Sequence, residues 1–293
     1  MSADPGPFDV AAIDTVVNPI TPEIIELGPA WRSGFHQGTF GRDDSVRTGV
    51  TIHELIGEME AAGIEHAFLV AACIGPADVD GCFHVPYELV HQACAAHPDR
   101  FSGVAGLDAT TGVEGVRRLE WAVKELGFVG AHFYPHWFEL APDHRRWYPF
   151  YAKCAELDIP VQMQIGQSLI YDQRRPLRSV GQPLTLDTVA CELPEVKLVG
   201  IHVGIPWVDE MMFVATKHPN VHIVADAHAP KHWPSQFVNF INTYGQDKVI
   251  FGTDYPVLTH RRMRDEIEAL ELRDGPKRKF LRDNAIALWG LDR

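Results

Sequence analysis

The chain has 293 residues, 46% of them hydrophobic, which suits one large domain with a sizeable core and excludes global disorder. Its 26 basic and 39 acidic side chains leave a net charge of −13. A nucleic-acid partner would need a basic footprint and an anionic membrane surface would repel this chain, so both are excluded as expectations. The first residues carry neither a basic n-region nor an apolar h-region, and no apolar run approaches the ~20 residues that span a bilayer. The expected location is the cytoplasm. Five scattered cysteines (Cys73, Cys82, Cys94, Cys154, Cys191) form no CxxC pair and read as reduced thiols.

In chain order, short β-branched runs alternate with longer amphipathic segments. The first strand is expected at 10–17, followed by a polar, Gly-rich stretch from 18 to 49 that reads as a lid loop carrying Trp31, Phe35, His36 and Phe40. Thr51 and Glu54 form a capping-box pattern that opens a helix, and Gly63 closes it. Further strands are expected at 64–72, 101–107, 128–133, 159–165, 196–203, 221–225 and 248–251. Helices are expected at 86–97, 113–126, 147–157, 184–193, 208–218, 235–244, 260–272 and 276–289. Eight βα repeats without a linker predict an α/β fold, a single (β/α)₈ TIM barrel over 1–293. No GxGxxG follows the first strand, so a dinucleotide fold has no support. On barrel logic the site lies at the C-terminal ends of the strands.

Several segments resemble the amidohydrolase-related family, which includes aminocarboxymuconate semialdehyde decarboxylase, γ-resorcylate decarboxylase and pyrone dicarboxylate lactonase. They are Lys248 to Pro256 with its Gly-Thr-Asp-Tyr-Pro ending, Lys197 to Gly204 with His-Val-Gly, Val221 to Pro234, and the closing Asn284-Ala285 with Leu288 to Leu291. The resemblance implies a first strand with two histidine ligands and a fifth strand ending in a third. Here those positions are Val16, Asn18 and Gln164, whereas the sixth-strand histidine and eighth-strand aspartate stand as His202 and Asp254. A catalytic zinc needs about three protein ligands, and valine has no lone pair. The expectation is therefore a site without a metal or other cofactor. A zinc ion held by His202 and Asp254, or a site rebuilt with His132 or His228, is the alternative.

Asp254 and His202 end their strands and are the expected catalytic pair, base and proton-transfer partner. The competing readings are a loop carboxylate and a packed histidine. Asn18 and Gln164 are expected either to bind substrate or to be inert filler. His132 and His228 are weaker substrate-binding candidates. The loop after the fifth strand carries Arg174, Arg175 and Arg178, and arginine forks bind carboxylates. No Gly-x-Ser-x-Gly elbow, Walker A loop or cysteine motif competes. The expected activity is a metal-independent hydrolase acting on a small cyclic or carboxylated compound such as a lactone. The alternatives are a non-oxidative decarboxylase or other lyase, and a non-catalytic ligand-binding barrel. The expected partner is a small molecule, and homo-oligomerisation stays open.

Overall fold

The computed structural model describes residues 8–172 and 175–292, so the expectations about the first seven residues and about Arg174 lie outside the described residues. Its strands are β1 (Ala12–Val17), β2 (Ile64–Ala71), β3 (Cys73–Ile74), β4 (Phe83–His84), β5 (Phe101–Gly106), β6 (Gly130–Phe133), β7 (Val161–Gln164), β8 (Leu198–Ile201), β9 (Val221–Ala225) and β10 (Val249–Phe251). Eight of them form one parallel sheet in the order β1-β2-β5-β6-β7-β8-β9-β10, while β3 and β4 form a separate antiparallel hairpin. The fold is a (β/α)₈ barrel, as the eight expected strands require. Both faces of each barrel strand are covered, one by interior side chains and the other by helices. This is why β1 and β2 are buried along their whole length and read as near-continuous apolar runs.

Closure of the ring rests on side chains as much as on the backbone. Val17 and Tyr255 form a single parallel bridge, and the Asn18 amide donates to the Tyr255 carbonyl at 2.8 Å. The fully buried Asp14 in β1 accepts from the Thr253 amide at 3.0 Å and from the Thr253 hydroxyl at 2.6 Å. The Thr15 hydroxyl donates to the Phe251 carbonyl at 2.8 Å. Removing the Asp14 carboxylate takes the partner from three buried donors, the Val16 amide at 3.1 Å being the third, each costing about 1–3 kcal/mol. Asp14→Ala is therefore expected to lower unfolding stability by about 3–9 kcal/mol. Urea titration followed by circular dichroism measures it, and an unchanged midpoint would exclude this closure role.

Two segments differ from expectation. The stretch 18–49 is not an open loop: it folds into helices Pro22–Leu27, Trp31–Phe40 and Ser45–Thr48. Thr21 caps the first of these, accepting from the Ile24 amide. The second docks through Trp31, whose ring stacks on Trp137 with centroids 5.5 Å apart and whose Nε1 donates to the Gly81 carbonyl. The β3–β4 hairpin, between β2 and the helix Tyr87–Ala96, had no counterpart in the expected elements. The expected capping box is present, with Thr51 and Glu54 bonded reciprocally at the start of helix Ile52–Ala61.

Candidate active site

The C-terminal ends of the strands place five polar side chains around one cavity. Asn18 directly follows β1, Tyr134 follows β6, Gln164 ends β7, His202 follows β8, and Asp254 lies three residues beyond β10. Arg32 and His36, four apart on the helix Trp31–Phe40, add a second wall, and Trp137, Ile74, Ile170, Pro256 and Val257 supply the apolar lining. The space amounts to about 440 Å³ including its opening to solvent.

His202 and Asp254 both adopt left-handed backbone conformations, with φ of 73° and 55°, and Val203 beside them has φ 61°. Such conformations cost non-glycine residues about 1–3 kcal/mol each and cluster where function requires a particular aim. The His202 ring is held by Asp226, which directly follows β9: Nδ1 lies 3.1 Å from Asp226 Oδ1, and the same oxygen accepts the His202 backbone N–H at 2.5 Å. A carboxylate at Nδ1 keeps a proton there, so Nε2 is the nitrogen that gains or loses a proton and carries the lone pair in the neutral ring. Nε2 faces Asp254 Oδ2 at 4.0 Å. The other oxygen of Asp254 accepts from Asn18 Nδ2 at 2.8 Å, and Asn18 Oδ1 in turn accepts from the Tyr134 hydroxyl at 3.0 Å.

These contacts set the proton affinities. Burial pushes the Asp254 carboxyl up to about 7; His202 and the Asn18 hydrogen bond oppose the rise, and Asp226 adds to it. Burial alone would lower His202, but the carboxylates of Asp226 and Asp254 outweigh it and hold the imidazole above its ordinary range. Burial, with Arg32 and Arg42 nearby, pushes His36 down to about 3, so His36 stays neutral. Gln164 Oε1 is buried and makes no hydrogen bond of ordinary length. Arg32 is almost fully buried, its guanidinium lies over the Phe83 ring at 4.8 Å, and its Nη1 has no hydrogen-bond partner. Burial lowers its pKa only to about 10, so it keeps its charge.

Of the residues expected from sequence, the structure brings Asn18, Gln164, His202 and Asp254 together. His132 is fully buried below them, with Nδ1 3.2 Å from Gln162 Oε1, and does not line the cavity. His228 also stands off the cavity lining, and its carbonyl accepts from Trp233 Nε1. Arg175 turns to Cys82, with Nη1 3.6 Å from its sulfur, and the Arg178 side chain is 80% exposed beside Glu139. Among the described residues, the arginine that lines the cavity is Arg32, from the segment after β1. Sequence reasoning missed Arg32, Tyr134 and Asp226. Asp226 was within reach, since it ends a recognised strand as His202 does.

The profile of the amidohydrolase family matches residues 58–291. γ-Resorcylate decarboxylase from Rhodococcus jostii is 24% identical over 256 residues, covering 70% of this chain and 75% of that protein. A TIM-barrel protein of Bordetella bronchiseptica superposes with TM-score 0.79 at 25% identity, over 96% of this chain and all of that one. The 5-carboxyvanillate decarboxylase of Novosphingobium aromaticivorans, crystallised with manganese and 4-hydroxy-3-methoxy-5-nitrobenzoic acid, superposes with TM-score 0.74 at 18% identity, over 99% of this chain and all of that one. The manganese in that barrel overturns the expectation of a site without a cofactor. The loss of histidines does not by itself exclude a cation, because the Gln164 amide oxygen and the His202 ring also offer lone pairs. Among the described residues no helix is long and apolar enough to cross a membrane.

Proposed function

The chain belongs to the amidohydrolase family, and on that basis we propose that it is a lyase that removes carbon dioxide from a small hydroxylated aromatic carboxylate. The observation that carries this reading is the buried Asp254–His202 pair in one cavity with the guanidinium of Arg32, whose Nη1 is buried without a hydrogen-bond partner. The decarboxylases it resembles favour this over the hydrolysis expected from sequence. Arg32 binds the substrate carboxylate or a neighbouring oxygen anion. Asp254 delivers a proton to the ring carbon that bears the carboxylate. The bond from that carbon to the carboxylate breaks, its electron pair restores the aromatic ring, and carbon dioxide leaves. Asn18 and Tyr134 fix the carboxyl of Asp254 in place, and Trp137 and Ile74 exclude water from the ring face.

A divalent cation fits the same residues. Asp226 and Asp254 bring two buried carboxylates to one place, and the donors left free are His202 Nε2, Asp254 and the unpaired Gln164 Oε1. This oxygen-rich set suits manganese better than a thiophilic ion. Bound there, manganese would act as a Lewis acid on substrate oxygens. Because Asp226 sets the tautomer of His202, Asp226→Asn is expected to weaken manganese binding about 10–100-fold. Calorimetric titration of the chelator-treated protein measures this, and undiminished affinity would remove Asp226 from the role.

The activity is tested with 2,6-dihydroxybenzoate and related hydroxybenzoates, with and without manganese, following carbon dioxide and the decarboxylated phenol. Release of both supports the lyase. Turnover of lactones or esters with no carbon dioxide from any hydroxybenzoate would overturn it in favour of hydrolysis.

A further inference from the structure

The β3–β4 hairpin assembles a second group of donors that the cavity above does not use. Cys73 and His84 are register partners across the hairpin, with Sγ 3.1 Å from Nε2. Asp108, two residues beyond β5, turns Oδ2 toward the same nitrogen at 3.9 Å, too far for a hydrogen bond. Its other oxygen accepts from the Thr110 amide at 2.7 Å and the Thr110 hydroxyl at 2.5 Å, which fixes the carboxylate with one oxygen spare. The strands meet closely here: a Cβ on Gly106 would stand 2.1 Å from the Ala71 carbonyl and 2.8 Å from the Cys73 nitrogen.

The three donor atoms all lie within 4.8 Å of one another. Tetrahedral ligands at about 2.0–2.3 Å from zinc stand about 3.3–3.7 Å apart. The observed 3.1 and 3.9 Å straddle that spacing. Both Cys73 and Asp108 address the same nitrogen of His84, which rules out a relay in which the histidine links a carboxylate to a nucleophile. The group borders a cavity of about 790 Å³ including its opening, lined also by Glu114 and Arg118, which shares no lining residue with the candidate active site.

We propose that Cys73, His84 and Asp108 form a zinc site separate from the candidate active site, with its fourth position open to this second cavity. A thiolate and a carboxylate neutralise the two charges of the ion, and the sulfur, nitrogen and oxygen donors select zinc over manganese or magnesium. Loading transfers the thiol proton to solvent and moves the His84 proton from Nε2, where it now meets the Gly75 carbonyl at 2.7 Å, to Nδ1. The ion would pin the hairpin to the end of β5, and with it Ile74, the neighbour of Cys73 that lines the candidate active site. A second mixed group among the described residues, Asp187, Cys191 and His218, already has the Lys217 ammonium 2.7 Å from its carboxylate and is the poorer cation site. The proposal does not depend on the reaction assigned above.

The test is titration of the full chain with cobalt(II), followed by displacement with zinc. Thiolate ligation gives a near-ultraviolet charge-transfer band, which the cysteine-free site at His202 and Asp254 cannot produce. The expected result is a band abolished by zinc, saturating at one equivalent in His202→Ala, where the other cation site is disabled. It is lost in Cys73→Ser, retained in Cys191→Ser and in His202→Ala, and accompanied by at least tenfold weaker zinc binding in His84→Ala and Asp108→Asn. No band, a band that survives Cys73→Ser, or one that disappears with Cys191→Ser overturns the proposal. Should Cys73→Ser fail to fold by circular dichroism, unchanged zinc affinity in Asp108→Asn overturns it instead, and a tenfold loss there supports it.

Discussion

Asp254→Asn is expected to lower kcat for decarboxylation by about 10²–10⁴-fold, with the fold intact. Asparagine is isosteric with aspartate and still accepts the hydrogen bond from Asn18 that holds this side chain. It carries no proton to give to carbon, so the loss falls on the chemical step rather than on binding. Steady-state assay of carbon dioxide release checks this, and an unimpaired kcat would remove Asp254 from the reaction. The same carboxyl gives the chelator-treated protein a characteristic pH dependence. Its folded pKa of about 7 exceeds the unfolded value near about 3.9, so between the two the folded state holds a proton that the unfolded state lacks. Stability is therefore highest in acid with respect to this group and falls as pH rises through about 7. His202, raised by its carboxylate neighbours, acts with the same sign, since its extra proton is also lost on going alkaline. Thermal unfolding across this range should show the decline in wild type and a shallower one in Asp254→Asn. Manganese should restore stability on the alkaline side by binding the folded state.

Arg32→Met is expected to reduce kcat/KM for a hydroxybenzoate by about 10–100-fold, the worth of a charge-assisted hydrogen bond of about 1.5–3 kcal/mol. The effect should fall mainly on KM, because the guanidinium binds the substrate and does not carry the proton. Methionine retains the length that packs on Phe83, so stability should change much less than affinity. Lysine is not expected to rescue, since it supplies a point charge without the planar fork. Steady-state kinetics of both variants decide the matter: an unchanged KM in Arg32→Met would mean that the unpaired Nη1 does not meet substrate. Alanine replacement of Arg175 or Arg178 should leave KM unchanged, because neither side chain lines the cavity.

The barrel strands, and two of the residues at their ends, are legible in the chain without any structure. A strand covered on both faces must be a short apolar, β-branched run, and that is a local property of the chain, so 64–72 or 221–225 could be read without any partner in view. His202 and Asp254 were legible because they sit at the ends of such runs, and barrel topology sends every strand end to the same face. Which other side chains meet them depends on contacts between distant parts of the chain. The segment 18–49 reads as a loop because it is polar and rich in glycine, yet its helices are held by such contacts, Trp31 on Trp137 among them. That docking aims Arg32 and His36 into the cavity, whereas the arginine-rich stretch after β7, more conspicuous in sequence, turns Arg175 to Cys82 and leaves Arg178 exposed. Asp226 ends a legible strand, but its contact with His202 follows from register, and β3 with β4 are two residues each, too short for any periodicity to register. A strand is specified by its own residues, but a site is specified by the closure of the ring that brings eight strand ends together.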